Sequence, residues 1–360
     1  VEPVDVVSDH DPAILMSNGS VALFTGAFTM FPMRDIEQLR GMDHVYRQAA
    51  LLTFRDAAAP VFFNGSTVPR ATLEVDDYVL FGPAQIVEAA HADIVLDPGL
   101  PDWLAQEVGA FTARAFAGYA ERLGPSPDGT PMLLATWSGD EEGIARTSGT
   151  ASGRTLTMSF GGSGFVRRDY PALVYAQRLI AHEAAHVWLG QHVGVDRHAY
   201  RWITEGGAVV LAVRMQEALD VVNADDAEAF ILRQRLISAI GEGTPYAVED
   251  YLGNAREGCP GWLANGGLSG AQDRLEDRAF YDCGAMFALA VEQAGTARGE
   301  DFFDFVALLI ARNPEGSVTP DEWFAAARAF GVLEEKLDLM RQLVDEGTPD
   351  GELALARLLS

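Results

Sequence analysis

The sequence predicts an α+β protein in which a β-rich N-terminal region is followed by a mixed α/β region and then by a helical one. Three observations predict it. Residues 1–98 hold short apolar or alternating runs separated by Gly, Pro, Asn and Asp; residues 99–226 mix helical and strand-like periodicities; residues 227–360 repeat their apolar positions almost wholly at helical spacing. These are read as three domains, and 360 residues with 48% hydrophobic content can bury more than one core.

In the first region, strands are expected within residues 21–31, 49–54, 61–63, 71–75, 78–81 and 94–96. Asn64-Gly65 lies between two of the apolar runs and signals a two-residue hairpin, because both residues tolerate the positive φ of a primed turn. Turn residues Asp97-Pro98-Gly99 mark the edge of this region. A helix then starts after Pro101, placing Trp103, Leu104, Val108, Phe111, Phe116, Tyr119 and Leu123 at helical spacing and stopping at Gly124-Pro125. Residues 132–137 and 155–160 read as strands, 171–190 as a helix, and another helix begins near Glu205. Further helices are expected over 230–240, 278–293, 302–312, 321–330 and 333–344. Thr319 and Glu322 form a capping box, with Pro320 at the first helical position.

Charge excludes one class of partner. A formal net charge of −26 and a pI near 4.5 do not suit nucleic acid, whose phosphates need clustered cations. Residues 144–201 run against the trend, with seven arginines against Asp169, Glu183 and Asp196, a balance that would favour acidic or carboxylate-bearing substrates. Apolar runs are too short for a transmembrane segment. The first residue is Val1 and no charged-then-apolar leader follows it, as expected of an exported, periplasmic or extracellular protein after signal-peptide removal. In such a compartment Cys259 and Cys283, the two cysteines, would pair; in a reducing one they would be buried small side chains.

The chemistry is concentrated in His182-Glu183-Ala184-Ala185-His186, which falls inside a segment expected to be helical. Residues four apart share one helical face with Cβ atoms about 6 Å apart. Two imidazoles so placed can converge on one ion at about 2.0 to 2.1 Å, as zinc requires. Glu183, roughly 100° round the helix from His182, can stand beside the ion without ligating it. A catalytic zinc takes three protein ligands, and Glu205, in Trp202-Ile203-Thr204-Glu205-Gly206-Gly207-Ala208, is a candidate third. Position alone leaves it equally an ordinary first-turn acid favoured by the helix dipole.

The run from His182 to Ala208 resembles the gluzincin metallopeptidases of the aminopeptidase-N family, whose pattern is H-E-x-x-H, eighteen residues, then Glu. Eighteen residues separate His186 from Glu205 here, and Trp188, Gly190, Trp202, Gly206 and Ala208 fit between and beyond them. The related glycyl-aminopeptidase family shares the ligands. Downstream, Tyr281-Asp282-Cys283-Gly284-Ala285 resembles the Tyr-x-x-Gly-Ala segment of the same family. The resemblance implies a thermolysin-like metallopeptidase catalytic unit, an α/β lobe plus a helical lobe, preceded by a small β lobe. It implies one Zn2+ held by His182, His186 and Glu205, with Glu183 as general base and the Tyr281 hydroxyl stabilising the oxyanion. The substrate implied is a peptide or protein.

The chain departs from the family at two points. The family's exopeptidases carry a Gly-x-Met-Glu-Asn loop whose glutamate captures the substrate's amino terminus. The corresponding stretch is read as residues 159–165, which contains no acid, with residues 154–160 as an edge strand able to pair with an extended peptide. Selection by amino terminus therefore lacks its charge. Four residues beyond Glu205, where some gluzincins keep an acid, stands Val209, so the groups that orient the metal ligands must come from elsewhere. His192 and His198 are read as surface residues rather than a second metal site. Two other functions fit the same residues: a binding or scaffolding protein that keeps the fold but not turnover, and a zinc hydrolase of a non-peptide substrate.

Overall fold

A computed structural model describes residues 11–28, 51–73, 77–141, 145–195, 198–219, 248–264, 266–273, 277–314 and 316–360. The helix expected over 230–240 lies outside them.

The N-terminal region is β-rich. Its strands are β1 (Ala13–Leu15), β2 (Val21–Phe24), β3 (Leu52–Phe54), β4 (Val61–Phe63), β5 (Ser66–Val68), β6 (Ala71–Leu73) and β7 (Tyr78–Phe81). Five of them form an antiparallel sheet in the order β1-β2-β7-β4-β5, and β3 pairs with β6. The hairpin between β4 and β5 turns at Asn64 and Gly65, whose φ values of 53° and 68° are the left-handed pair the sequence calls for.

A second sheet combines β8 (Ile86–Ala89), β9 (Ala92–Leu96), β10 (Met132–Trp137), β11 (Arg146–Ser152) and β12 (Thr155–Gly161) in the order β11-β12-β10-β9-β8. Strand β10 runs parallel to both β9 and β12, while β8 and β11 add antiparallel edges. Two expectations are corrected here. Residues 94–96, grouped with the N-terminal strands, pair with β10 instead. Residues 154–160 are not an edge: β12 is interior, because Leu156, Met158 and Phe160 bury against the core, and the polar strand β11 takes the solvent-facing position. The sequence gives β11 no apolar alternation, which is why it passes unnoticed.

Helix α1 (Asp102–Leu123) starts after Pro101 and ends at Gly124, where φ is 87°. Helix α2 (Tyr170–Ala185) is capped by Asp169, whose side chain accepts from the Ala172 N–H at 2.9 Å. There follow α3 (Arg201–Ala218), α4 (Val248–Ala264), α5 (Gly267–Asp273), α6 (Asp277–Thr296), α7 (Phe302–Arg312), α8 (Pro320–Ala329), α9 (Glu334–Asp345) and α10 (Gly351–Leu358). The Thr319 and Glu322 capping box is present at the head of α8.

One hydrophobic cluster runs from Ala92 in β9 to Leu358 in α10 and holds α1, α2, α3 and α6 together. A smaller one joins the two sheets through Phe24, Phe62, Tyr78, Val95 and Leu134. A disulfide between Cys259 and Cys283 ties α4 to α6. Among the described residues no helix is long and apolar enough to cross a membrane.

Candidate metal centre

His182 lies in the last turn of α2 and His186 is its C-cap. The chain beyond leaves helical geometry at Leu189 and Gly190, with φ of 156° at the glycine. This brings the Leu189 carbonyl to 3.1 Å from His186 Nδ1. A proton on Nδ1 satisfies that carbonyl and leaves the Nε2 lone pair for an ion. Gly190 permits the turn: a Cβ there would stand 3.2 Å from Nδ1, on a backbone that side chains rarely adopt. Trp188 anchors the bend, stacking on Tyr119 and donating to the Gly124 carbonyl at 2.9 Å.

Glu205 reaches the same point from the second turn of α3. Its Oε2 lies 3.4 Å from His182 Nε2 and 3.3 Å from His186 Nε2, and the two Nε2 atoms are 3.2 Å apart. A tetrahedral ion with bonds of about 2.0 Å needs its ligand atoms about 3.3 Å apart, so the triangle has the right size for zinc. The donor chemistry also fits, two imidazoles and one carboxylate. Oε2 is buried and accepts no hydrogen bond of normal geometry. The other oxygen, Oε1, accepts from Arg201 Nη2 at 3.0 Å. Leu189 and Arg201 thus hold the far sides of the His186 ring and the Glu205 carboxylate.

Electrostatics hold His186 and Glu205 as an ion pair. Burial works against a charge on His186, but the charge of the neighbouring Glu205 carboxylate overcomes it and raises the imidazole to about 9. Burial likewise opposes the Glu205 charge, and the two histidines outweigh it and hold the carboxyl well below its usual range.

Glu183 stands beside the trio, buried, its carboxyl pushed up chiefly by desolvation against the opposing pull of His182 and His186. It faces Gly149 of β11, where a Cβ would come within 2.5 Å of its Oε1. Tyr281 on α6 stacks on the His182 ring with centroids 5.7 Å apart. Burial first, and then the Glu205 charge, raise its hydroxyl, so it remains a proton donor near neutrality. Glu183 and Tyr281 both line two adjoining cavities, of about 300 and 390 Å3.

Every residue singled out from the sequence as a ligand or catalytic group therefore meets at one place. His192 and His198 are half-buried and lie outside the trio. Sequence reasoning missed Gly149 and Arg201. Nothing in the composition of β11 marks Gly149, whereas Arg201, four residues before Glu205, carried a usable signal in its helical spacing.

Comparison with solved structures bears on the fold. The chain is similar to an aminopeptidase N family protein from Idiomarina loihiensis, with a TM-score of 0.59 and 12% identity over 86% of this chain and 54% of that one. The chain has the fold of that part. It is also similar to yeast LTA4 hydrolase in complex with bestatin, with a TM-score of 0.54 and 14% identity over 95% of this chain and 54% of that one. The chain thus spans about half the length of these two structures. No protein-family model matches the sequence, and no curated protein sequence does.

The segment that faces α2 opposite Glu183 is β11, Arg146–Ser152. It holds no acid.

Proposed function

We propose that the chain is a zinc-dependent peptidase with a thermolysin-like catalytic unit. The observation that carries the reading is the triangle of His182 Nε2, His186 Nε2 and Glu205 Oε2, with edges of 3.2 to 3.4 Å and a buried carboxylate, Glu183, beside it. His182, His186 and Glu205 would hold the ion. When bound, zinc supplies Lewis acidity, polarising a carbonyl and acidifying water.

The remaining work falls to the chain's own groups. Glu183 takes a proton from the attacking water and returns it to the leaving amine; a carboxyl raised by burial suits that exchange near neutral pH. Tyr281 donates its hydroxyl to the carbonyl oxygen as negative charge develops there. Gly149, lacking a side chain, lets a substrate backbone pass beside Glu183 along the edge of β11.

The test joins metal content to turnover. Purified protein should hold one zinc per chain and cleave peptides from a mixed pool, while Glu183→Gln should keep the metal and lose activity by about 10² to 10⁴. If wild type and Glu183→Gln are equally inert over peptides, the peptidase reading fails. Turnover of an ester or epoxide by wild type alone would instead place the same site in a non-peptide hydrolase.

A further inference from the structure

Tyr281 opens a run of four residues on α6 that face three ways, since successive residues point roughly 100° apart round a helix. Tyr281 itself lines both cavities and stacks on the His182 ring. Asp282 and Cys283 turn to α4. Cys283 is bonded to Cys259, and the buried Asp282 carboxylate accepts from Trp262 Nε1 at 3.3 Å. Gly258 leaves room for that carboxylate, because a Cβ there would stand 2.6 Å from Asp282 Oδ2. Gly284 turns to α3, where it meets the Trp202 carbonyl and Gly206.

We propose that the Cys259–Cys283 disulfide and Asp282 are positioning residues for Tyr281, fixing the roll of α6 so that its hydroxyl meets the carbonyl oxygen of a substrate. The inference rests on the peptidase reading and adds to it the groups that set the oxyanion donor.

At the height of Tyr281 the contact with α3 is glycine against backbone. Such a contact fixes how near the two helices come but offers no side chain against rolling. The tie to α4 does offer one: a covalent bond and a hydrogen bond, from adjacent residues, grip α6 on a second side. Rolling would strain the bond and pull Asp282 off Trp262, leaving a buried carboxylate short of a donor. Helix α4 is itself anchored. A Cβ on Gly351 of α10 would stand 2.2 Å from the Pro260 carbonyl oxygen, and the Thr348 N–H donates to the Leu263 carbonyl at 2.9 Å. Both cysteines are fully buried, so the bond is a lasting tie rather than an exchanging one. The Tyr281 hydroxyl ends a long side chain, and a small roll carries it further than it carries the backbone. A displacement near 1 Å at a reacting group costs about a hundredfold in rate.

Two variants loosen the tie. One joins Cys259→Ala with Cys283→Ala. The other is Trp262→Phe, which keeps an aromatic ring and loses the donor; Trp262 is half-buried, so this variant folds even where the first does not. Each is made in the wild-type chain and in Tyr281→Phe, and each zinc-loaded full chain is measured for kcat, KM and zinc content. A readout without turnover is the calorimetric Kd of a phosphinic peptide, a tetrahedral mimic whose oxygen stands where the oxyanion would form.

With Tyr281 present, the disulfide-free protein should lose about 10- to 100-fold in kcat. Trp262→Phe should lose about 3- to 10-fold, the scale of one hydrogen bond. KM should stay within about twofold and zinc should be retained, as for a contact made only in the transition state. Phosphinic binding should weaken in step. In the Tyr281→Phe background the same changes should leave kcat and Kd as they are.

Equal losses in both backgrounds, loss of zinc, or wild-type kcat in both variants would overturn the inference and leave the peptidase reading standing. Phosphinic binding that weakens only where Tyr281 is present, with no peptide cleaved by wild type, sinks the peptidase reading and leaves the tie. A wild type that neither cleaves peptides nor binds the phosphinic one sinks both.

Discussion

Gly206 on α3 and Gly284 on α6 meet backbone to backbone: a Cβ on Gly206 would lie 2.2 Å from the Gly284 carbonyl carbon, and one on Gly284 would lie 2.2 Å from the Trp202 carbonyl oxygen. These glycines stand one residue after Glu205 and three after Tyr281. The two helices thus approach closely enough for Glu205 and Tyr281 to share one cavity wall. Gly206→Ala should force them apart, costing about 1 to 3 kcal/mol of stability as overpacking does. Thermal unfolding followed by circular dichroism measures the loss. A variant melting at the wild-type temperature would show that this contact does not set the helix spacing.

Gly149 bounds the position of Glu183, the proposed general base, in a similar way. Alanine there would place a methyl carbon 2.5 Å from Glu183 Oε1, and the buried carboxylate would have to turn aside. We expect Gly149→Ala to retain zinc and lower kcat by roughly tenfold to a hundredfold, the effect of a displacement near 1 Å at a reacting group. Full activity with bound zinc would mean that Glu183 has room to yield without consequence.

Arg201 holds Glu205, the proposed third ligand, from outside. Without its hydrogen bond to Oε1, Glu205 can rotate and Oε2 leaves the imidazole pair. Arg201→Gln should weaken zinc binding by about 10- to 100-fold, measured by competition with a chromogenic chelator. Unchanged affinity would assign the ligand geometry to packing alone.

The His186 and Glu205 pair sets a pH dependence with a definite sign. In the metal-free protein His186 holds its proton to about 9, above the ordinary 6.5. The folded state therefore binds more protons than the unfolded state between those values. This contribution to metal-free stability is fully present below about 6.5 and is lost as pH rises through about 9. Zinc needs the neutral imidazole, so each ion bound at pH 7 to 8 should displace about one proton, and affinity should rise with pH in that range. Calorimetric titration in buffers of different ionisation enthalpy counts the proton. Zinc uptake with no proton released at pH 7 would remove the ion pair from the account.

Several features were legible because the physics that dictates them is local. Pro101 and Gly124 bound α1, Asn64-Gly65 turns its hairpin, and Thr319 with Glu322 caps α8 through atoms a few residues apart. The spacing of His182 and His186 fixes their common face for the same reason. Family landmarks that had no stated purpose in the sequence acquire one in the fold. Gly190 frees the bend over His186, Gly206 and Gly284 let two helices touch, and Trp188 and Trp202 fill the core beside them.

The sequence by itself determined the two imidazoles on one helical face, the glutamate between them, and the helix and turn signals that place them, since each depends on neighbours within a turn or two. Tertiary structure alone decided that β11 rather than β12 forms the open edge, that Arg201 and Leu189 contact Glu205 and His186, and that Arg178 and Arg278 line one cavity. Those relations join segments dozens of residues apart, where the outcome depends on which surfaces bury together, and no local periodicity encodes that choice.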